Sequence, residues 1–234
     1  MADNIVVIDF SGTLIMPFVA EEANIKRYKN LGMNLPSEKE HKEMHATKAH
    51  YEIVKQHIAQ DYGITDDMKI YYVQNYGSEI KLSGKDVKTI IMTDLFRNAM
   101  YQVAKEHGNN IFAEGIANVL QKIKSRGYKL AIISGIRKDI ITGMLAITKF
   151  PVSFDFIYAQ DPVLSRDDNK FLNQELAKQG KIAFIIGDKA DDLIPAKNLG
   201  AKSIFVKWGH PTGGEETMAD FTVEKPEEIL EIIK

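Results

Sequence analysis

Three short apolar runs, each followed at once by polar chemistry, limit what this chain can fold into. Residues 5–8 read Ile-Val-Val-Ile and stop at Asp9. Residues 130–133 read Leu-Ala-Ile-Ile and stop at Ser134. Residues 182–186 read Ile-Ala-Phe-Ile-Ile, and Asp188 follows Gly187. Unbroken apolar runs of this length indicate strands buried on both faces, as in a parallel sheet. From residue 110 onward helical segments alternate with strands. Helices are expected over 116–125, 137–148, 170–179 and 192–199, with a last one opened by Pro226. Proline suits that first helical position. Further strands are expected over 154–161, 203–206 and 221–223. Such alternation builds βαβ units with right-handed crossovers. The expected fold class is α/β, with a Rossmann-like parallel sheet.

The first strand and the second are far apart in the chain. Residues 16–109 carry no strand signal and read as a mainly helical insertion, while 1–15 and 110–234 form the sheet core. Met44, Tyr51, Val54 and Ile58 fall on one helical stripe within 37–61, and Ser37 with Glu40 fits a capping box. Ile91, Met92, Leu95, Phe96, Ala99 and Val103 make a second stripe within 85–107, which Gly108 is placed to end. Residues 68–82 are tyrosine-rich and carry no clear period. Tyr71, Tyr72 and Tyr76 are expected to pack in the core of the insertion. His41, His45, His50 and His57 fall on two flanks of the first stripe, a spacing that favours surface positions over a metal site.

Composition removes several function classes. The net charge of −2 offers no basic surface to nucleic acid or an acidic membrane. There is no cysteine, hence no disulfide, thiol nucleophile or thiolate metal ligand. No apolar run approaches the roughly 18 residues of a membrane span. The chain starts Met-Ala-Asp-Asn and enters its first strand directly, so a soluble cytoplasmic protein is expected.

Strand ends in such a sheet lie along one edge, so Asp9, Ser134 and Asp188 are expected to converge there. Asp192 follows Asp188 by four residues, with Asp191 beside it. Hard oxygen donors at this density suit Mg²⁺. A carboxylate can attack phosphorus to form an aspartyl-phosphate. Ser134 can donate to a phosphoryl oxygen. Lys170 is the best-placed cation to hold the accumulated charge, with Lys178 and Lys181 as competitors.

Taken together these segments resemble the haloacid dehalogenase (HAD) superfamily of hydrolases. Asp9-Phe-Ser-Gly-Thr resembles its first motif, Ser134 its second, Lys170 its third, and Gly187-Asp188-Lys189-Ala190-Asp191-Asp192 its fourth. The resemblance implies that Asp9 is the nucleophile, that Ser134 with Gly135 binds phosphate, and that Lys170 balances charge. It implies a Mg²⁺ site made from Asp9, the Ser11 backbone carbonyl, Asp188 and Asp192. It also implies that 16–109 is a cap that chooses a small phosphorylated substrate. One position departs from the pattern. Most phosphatases of the family carry a second Asp two residues after the nucleophile, as acid and base; here it is Ser11. A serine hydroxyl is a poor proton donor or acceptor near neutral pH, and such catalysis is worth ~10²–10⁴-fold. Slow monoester hydrolysis follows, or a substrate whose leaving group needs little protonation. Dehalogenase- or phosphonatase-like hydrolysis, or phospholigand binding without turnover, are the competing readings.

Overall fold

The computed structural model describes residues 4–32, 34, 37, 65–83, 87–160 and 169–234. The helix expected over 37–61, with its four histidines, lies outside the described residues apart from Ser37. The described residues fall into two compact units, one holding those up to Pro17 and from His107 on, the other those from Phe18 to Glu106.

The first unit is built on a six-stranded, all-parallel sheet. Its strands are β1 (Asn4–Ile8), β2 (Lys129–Arg137), β3 (Phe156–Gln160), β4 (Lys181–Gly187), β5 (Lys202–Val206) and β6 (Phe221–Val223). They lie in the order β3-β2-β1-β4-β5-β6, the doubly wound Rossmann arrangement. The order reverses direction beside β1, so the crevice of such a sheet opens between the ends of β1 and β4. Register brings those ends together: Ile8 pairs with Ile132 on one side and Ile186 on the other. The Asp9 N–H then donates to the Ile186 carbonyl at 2.9 Å. Ile5, Val6, Val7 and Ile8 are all buried, as a central strand covered on both faces requires.

The chain also forms α1 (Pro17–Asn30), α2 (Asp66–Ser83), α3 (Val87–His107), α4 (Ile116–Ser125), α5 (Lys138–Thr148), α6 (Asn169–Leu176), α7 (Ala190–Leu199), α8 (Glu215–Met218) and α9 (Ile229–Ile232). On one sheet face Val7, Ile133 and Ile185 pack with Leu176 of α6 and Ala196 of α7. In α4 the buried residues Ile116, Val119, Leu120 and Ile123 keep the helical spacing that the sequence shows.

Some expectations change. The strand β2 runs on to Arg137 instead of stopping near Ser134, because Arg137 regains a partner in Gln160 beyond an irregularity in the pairing. Arg137 then chelates Asp139 through two 2.9 Å hydrogen bonds at the start of α5. The last helix is split into a 3₁₀ turn at Pro226–Glu228 and the short α9. Arg126 serves its terminal carbonyls, donating to Leu230 at 3.0 Å and also to Ile233. The helices α1 and α8 have no marked stripe in sequence and were not expected individually.

The second unit packs Tyr28 and Leu31 at the end of α1 with Tyr72 of α2 and Ile90, Ile91 and Met92 of α3. The tyrosine-rich stretch is therefore helical. Tyr72 is buried and donates to Asp94 at 2.6 Å, whereas Tyr71 is 55% exposed and does not join the core. Asp94 also pairs with Arg97. Arg27 stacks over Phe96 at 5.1 Å and donates to Asn24. Burial pulls its guanidinium down to about 10. Among the described residues no helix is long and apolar enough to cross a membrane.

Candidate active site

At the end of β1 the chain turns back on itself immediately. Leu14 N–H donates to the Asp9 carbonyl at 3.2 Å, Ile15 N–H to Phe10 at 2.8 Å, and Gly12 N–H to Ile15 at 2.9 Å. This knot holds Asp9 at the strand end. Gly12 is required twice over. Its φ of +91° is a left-handed conformation, and a Cβ there would lie 2.3 Å from Asp188 Oδ2.

Asp188 stands at the end of β4 and is fully buried. Its Oδ2 accepts the His210 N–H at 2.7 Å, and its Oδ1 faces the Thr13 hydroxyl at 3.4 Å. A Cβ on Gly209 would lie 2.2 Å from the Asp188 Cβ. Asp192 is the third residue of α7 and reaches back to accept the Lys189 N–H at 3.2 Å. That is half of a capping box, which turns the carboxylate toward the strand ends. A Cβ on Gly187 would lie 2.4 Å from the Asp192 Cβ. Glycines at 12, 187 and 209 thus clear the space in which the acids meet.

An oxygen from each of Asp9, Asp188 and Asp192 lies within 4.8 Å of the other two. Three carboxylates this close and this buried oppose one another's ionisation. Burial raises Asp9 well above the usual carboxylate range, and the charges of Asp192 and Asp188 raise it further. Burial also raises Asp188, against the pull of the His210 N–H. Asp192 is pushed up to about 7, by burial first and then by the charge of Asp188. Lys189 is the nearby positive charge that works the other way on all three. The cluster has the character of a cation site: hard oxygen donors, little water, and negative charge in excess. A divalent ion that prefers oxygen, such as Mg²⁺, fits that donor set.

The other expected residues are placed as follows. Ser11 lies in the knot after Asp9 and bridges to Ile15. Ser134 and Gly135 lie near the end of β2, the neighbour of β1; Ser134 is buried and its Oγ accepts the Ile136 N–H at 3.2 Å. Lys170 is the second residue of α6, and its side chain lies outside the described residues. One turn later in α6, Asn173 lines a small cavity with Asp9, Asp192, Val7, Ile133 and Ile185. Asn173 and Gly209 did not stand out in the sequence, Thr13 and Lys189 carried no role of their own there, and His210 stood out only weakly, as a loop residue after a strand end placed to overhang the site. The available signal was a glycine beside each acid, which reads as a turn until the fold is known.

The fold is a doubly wound parallel α/β sheet with three carboxylates gathered at the ends of its central strands. Residues 25–206 match the family model for haloacid dehalogenase-like hydrolases, and the chain belongs to this family as a phosphatase-like member. The matched span holds Ser134, Asp188 and Asp192 and begins after Asp9. Phosphoglycolate phosphatase from Aquifex aeolicus (strain VF5) is 23% identical over 174 residues, covering 70% of this chain and 81% of the relative. Pyrophosphatase PpaX from Bacillus velezensis is 27% identical over 127 residues, covering 51% and 58% respectively. Among solved structures, YfnB from Bacillus subtilis, determined bound to magnesium, matches with a TM-score of 0.64 at 12% identity over 100% of both chains.

Proposed function

We propose that this protein is a Mg²⁺-dependent phosphohydrolase acting on a small phosphorylated metabolite through an aspartyl-phosphate on Asp9. The observation that carries the reading is the meeting of three buried carboxylates at the β1–β4 crevice. Relatives named for phosphoglycolate and pyrophosphate support a small phosphorylated substrate. Asp9, the Ser11 carbonyl, Asp188 and Asp192 would hold the ion. When bound, Mg²⁺ supplies positive charge that lets a carboxylate and a phosphate dianion approach.

The chain's own residues do the rest. An Asp9 oxygen bonds to phosphorus, and the bond from phosphorus to the leaving oxygen breaks with its electron pair. Ser134 and the Gly135 backbone orient the phosphoryl oxygens, and Lys170 offsets their charge. Water then attacks phosphorus, releases phosphate and frees Asp9. The segment 16–109 chooses the substrate. Phosphate release from p-nitrophenyl phosphate is expected with Mg²⁺ and not with EDTA. Tight binding of phosphate esters without turnover of any in a broad panel would overturn the reading.

Ser11 makes a second expectation. With no acid beside Asp9, a leaving alkoxide departs unprotonated, whereas a nitrophenolate departs readily. Ser11→Asp is expected to raise kcat toward an alkyl phosphate by ~10-fold or more, with a smaller gain on the aryl ester. Parallel kinetics on the two esters check it. An equal or absent gain on both would dismiss the missing acid as the cause of slow turnover.

A further inference from the structure

The loop joining β5 to α8 touches the acid cluster but takes no part in the chemistry proposed above. The Trp208 indole donates to the Thr13 carbonyl at 3.0 Å, which ties the loop to the knot after Asp9. The backbone at Gly209 presses on Asp188, and the next residue, His210, donates its N–H to Asp188 Oδ2. Beyond that point the loop could move freely. Gly213 and Gly214 sit at φ of +107° and +94°, and glycine has little conformational preference of its own.

Glu215 removes that freedom. Its side chain is buried, and no lysine or arginine pairs with it among the described residues. Instead its Oε1 accepts the Thr212 N–H at 2.8 Å and the Thr212 hydroxyl at 2.5 Å, while its Oε2 accepts the Gly213 N–H at 2.8 Å. A buried carboxylate is costly unless its oxygens are satisfied, and here three donors from two adjacent residues satisfy it. The result is a turn closed by three hydrogen bonds, two residues after His210. One firm hydrogen bond on Oδ2 fixes the rotation of the Asp188 carboxylate, and so the direction of its other oxygen.

We propose that Glu215 is a positioning residue for Asp188: by folding the 212–213 turn it holds the His210 N–H on the carboxylate that grips the metal. This rests on the reading of Asp188 as a Mg²⁺ ligand. Groups that hydrogen-bond a metal's ligands, as the His210 N–H does Asp188, typically change its affinity by ~10–100-fold when lost; Glu215 acts through that bond, so its effect belongs at the lower end.

The test is binding of Mg²⁺ alone to the full chain, by titration calorimetry and by the Mg²⁺-induced rise in unfolding temperature. Glu215→Ala is expected to weaken Mg²⁺ about tenfold. Glu215→Gln keeps an acceptor oxygen and a buried side chain of the same shape, and is expected to weaken it less. The Mg²⁺ concentration giving half-maximal turnover should rise in the same ratio, with kcat at saturating Mg²⁺ retained. A purely structural role would lower kcat and unfolding temperature and leave Mg²⁺ affinity alone; that result overturns the proposal. If the alanine variant does not fold, the glutamine variant decides, since unchanged affinity in it is equally fatal. Mg²⁺ bound by the wild type and bound as tightly by the variants removes only this inference. No Mg²⁺ binding by the wild type removes the metal reading and this one with it.

Discussion

Asp9→Asn is expected to abolish phosphate release from an aryl ester, by at least ~10³-fold in kcat, without unfolding the protein. Loss of a nucleophile in a covalent mechanism leaves only binding and electrostatic effects, and such losses are commonly larger than this. The amide keeps the shape of the carboxylate and its backbone bonds to Ile186 and Leu14. It removes a buried carboxylate whose ionisation is opposed by burial and by the charges of Asp192 and Asp188. The inactive variant is therefore expected to unfold at the same temperature as the metal-free wild type or higher. Kinetics and a thermal melt on the same preparation check both halves. Full activity in the variant would end the case for an aspartyl-phosphate.

The sheet was legible because each strand stands on its own residues. Ile5–Ile8 and Ile182–Ile186 are too uniformly apolar for anything but a covered strand, and their pairing follows from the alternation with helices. The helix Ile116–Ser125 was legible to the residue, because its stripe is regular and Arg126-Gly127 ends it. Contacts that close over long distances were not. Nothing local marks Glu215 as bound to a turn or His210 as bound to Asp188, 22 residues away. Tyr71 and Tyr72 look alike in sequence, yet one is buried and the other exposed, because a helix turns by 100° between neighbours. The approach of Asp9 and Asp188 was expected from the strand ends, since polar residues there share one edge, and that of Asp192 from its spacing after Asp188. The glycines that make room for it could be read only as turns.

Asp192→Asn is expected to lose Mg²⁺ binding and to gain stability in the absence of metal at alkaline pH. The sign follows from linkage. Asp192 sits at about 7 in the folded protein, raised by burial and then by Asp188, against ~3.9 for an unperturbed Asp in the unfolded chain. Between those values the folded state binds more protons, so stability is lost as pH rises through the window. The loss is complete above about 7 and on the order of a few kcal/mol. Other acids work in the opposite sense. Burial opposes ionisation of Asp155 and Glu215, yet hydrogen bonds from Leu130 and Lys124, and from Thr212 and Gly213, hold both below the usual range. Lys202 and Ser203 hold Asp220 down likewise. Stability from those three is lost as pH falls below the ordinary carboxylate range. Melts in EDTA at pH 6 and pH 8.5 separate the two effects, since Asp155, Glu215 and Asp220 stay ionised throughout that interval whereas Asp192 does not; histidines, common to wild type and variant, cancel in the comparison. The wild type is expected to melt several degrees lower at pH 8.5 than at pH 6, and Asp192→Asn by much less. Adding Mg²⁺ at pH 8.5 should raise the wild type and leave the variant where it was. An identical pH dependence in the two proteins would mean that Asp192 ionises freely when folded, and the strained carboxylate cluster on which the metal site depends would not exist.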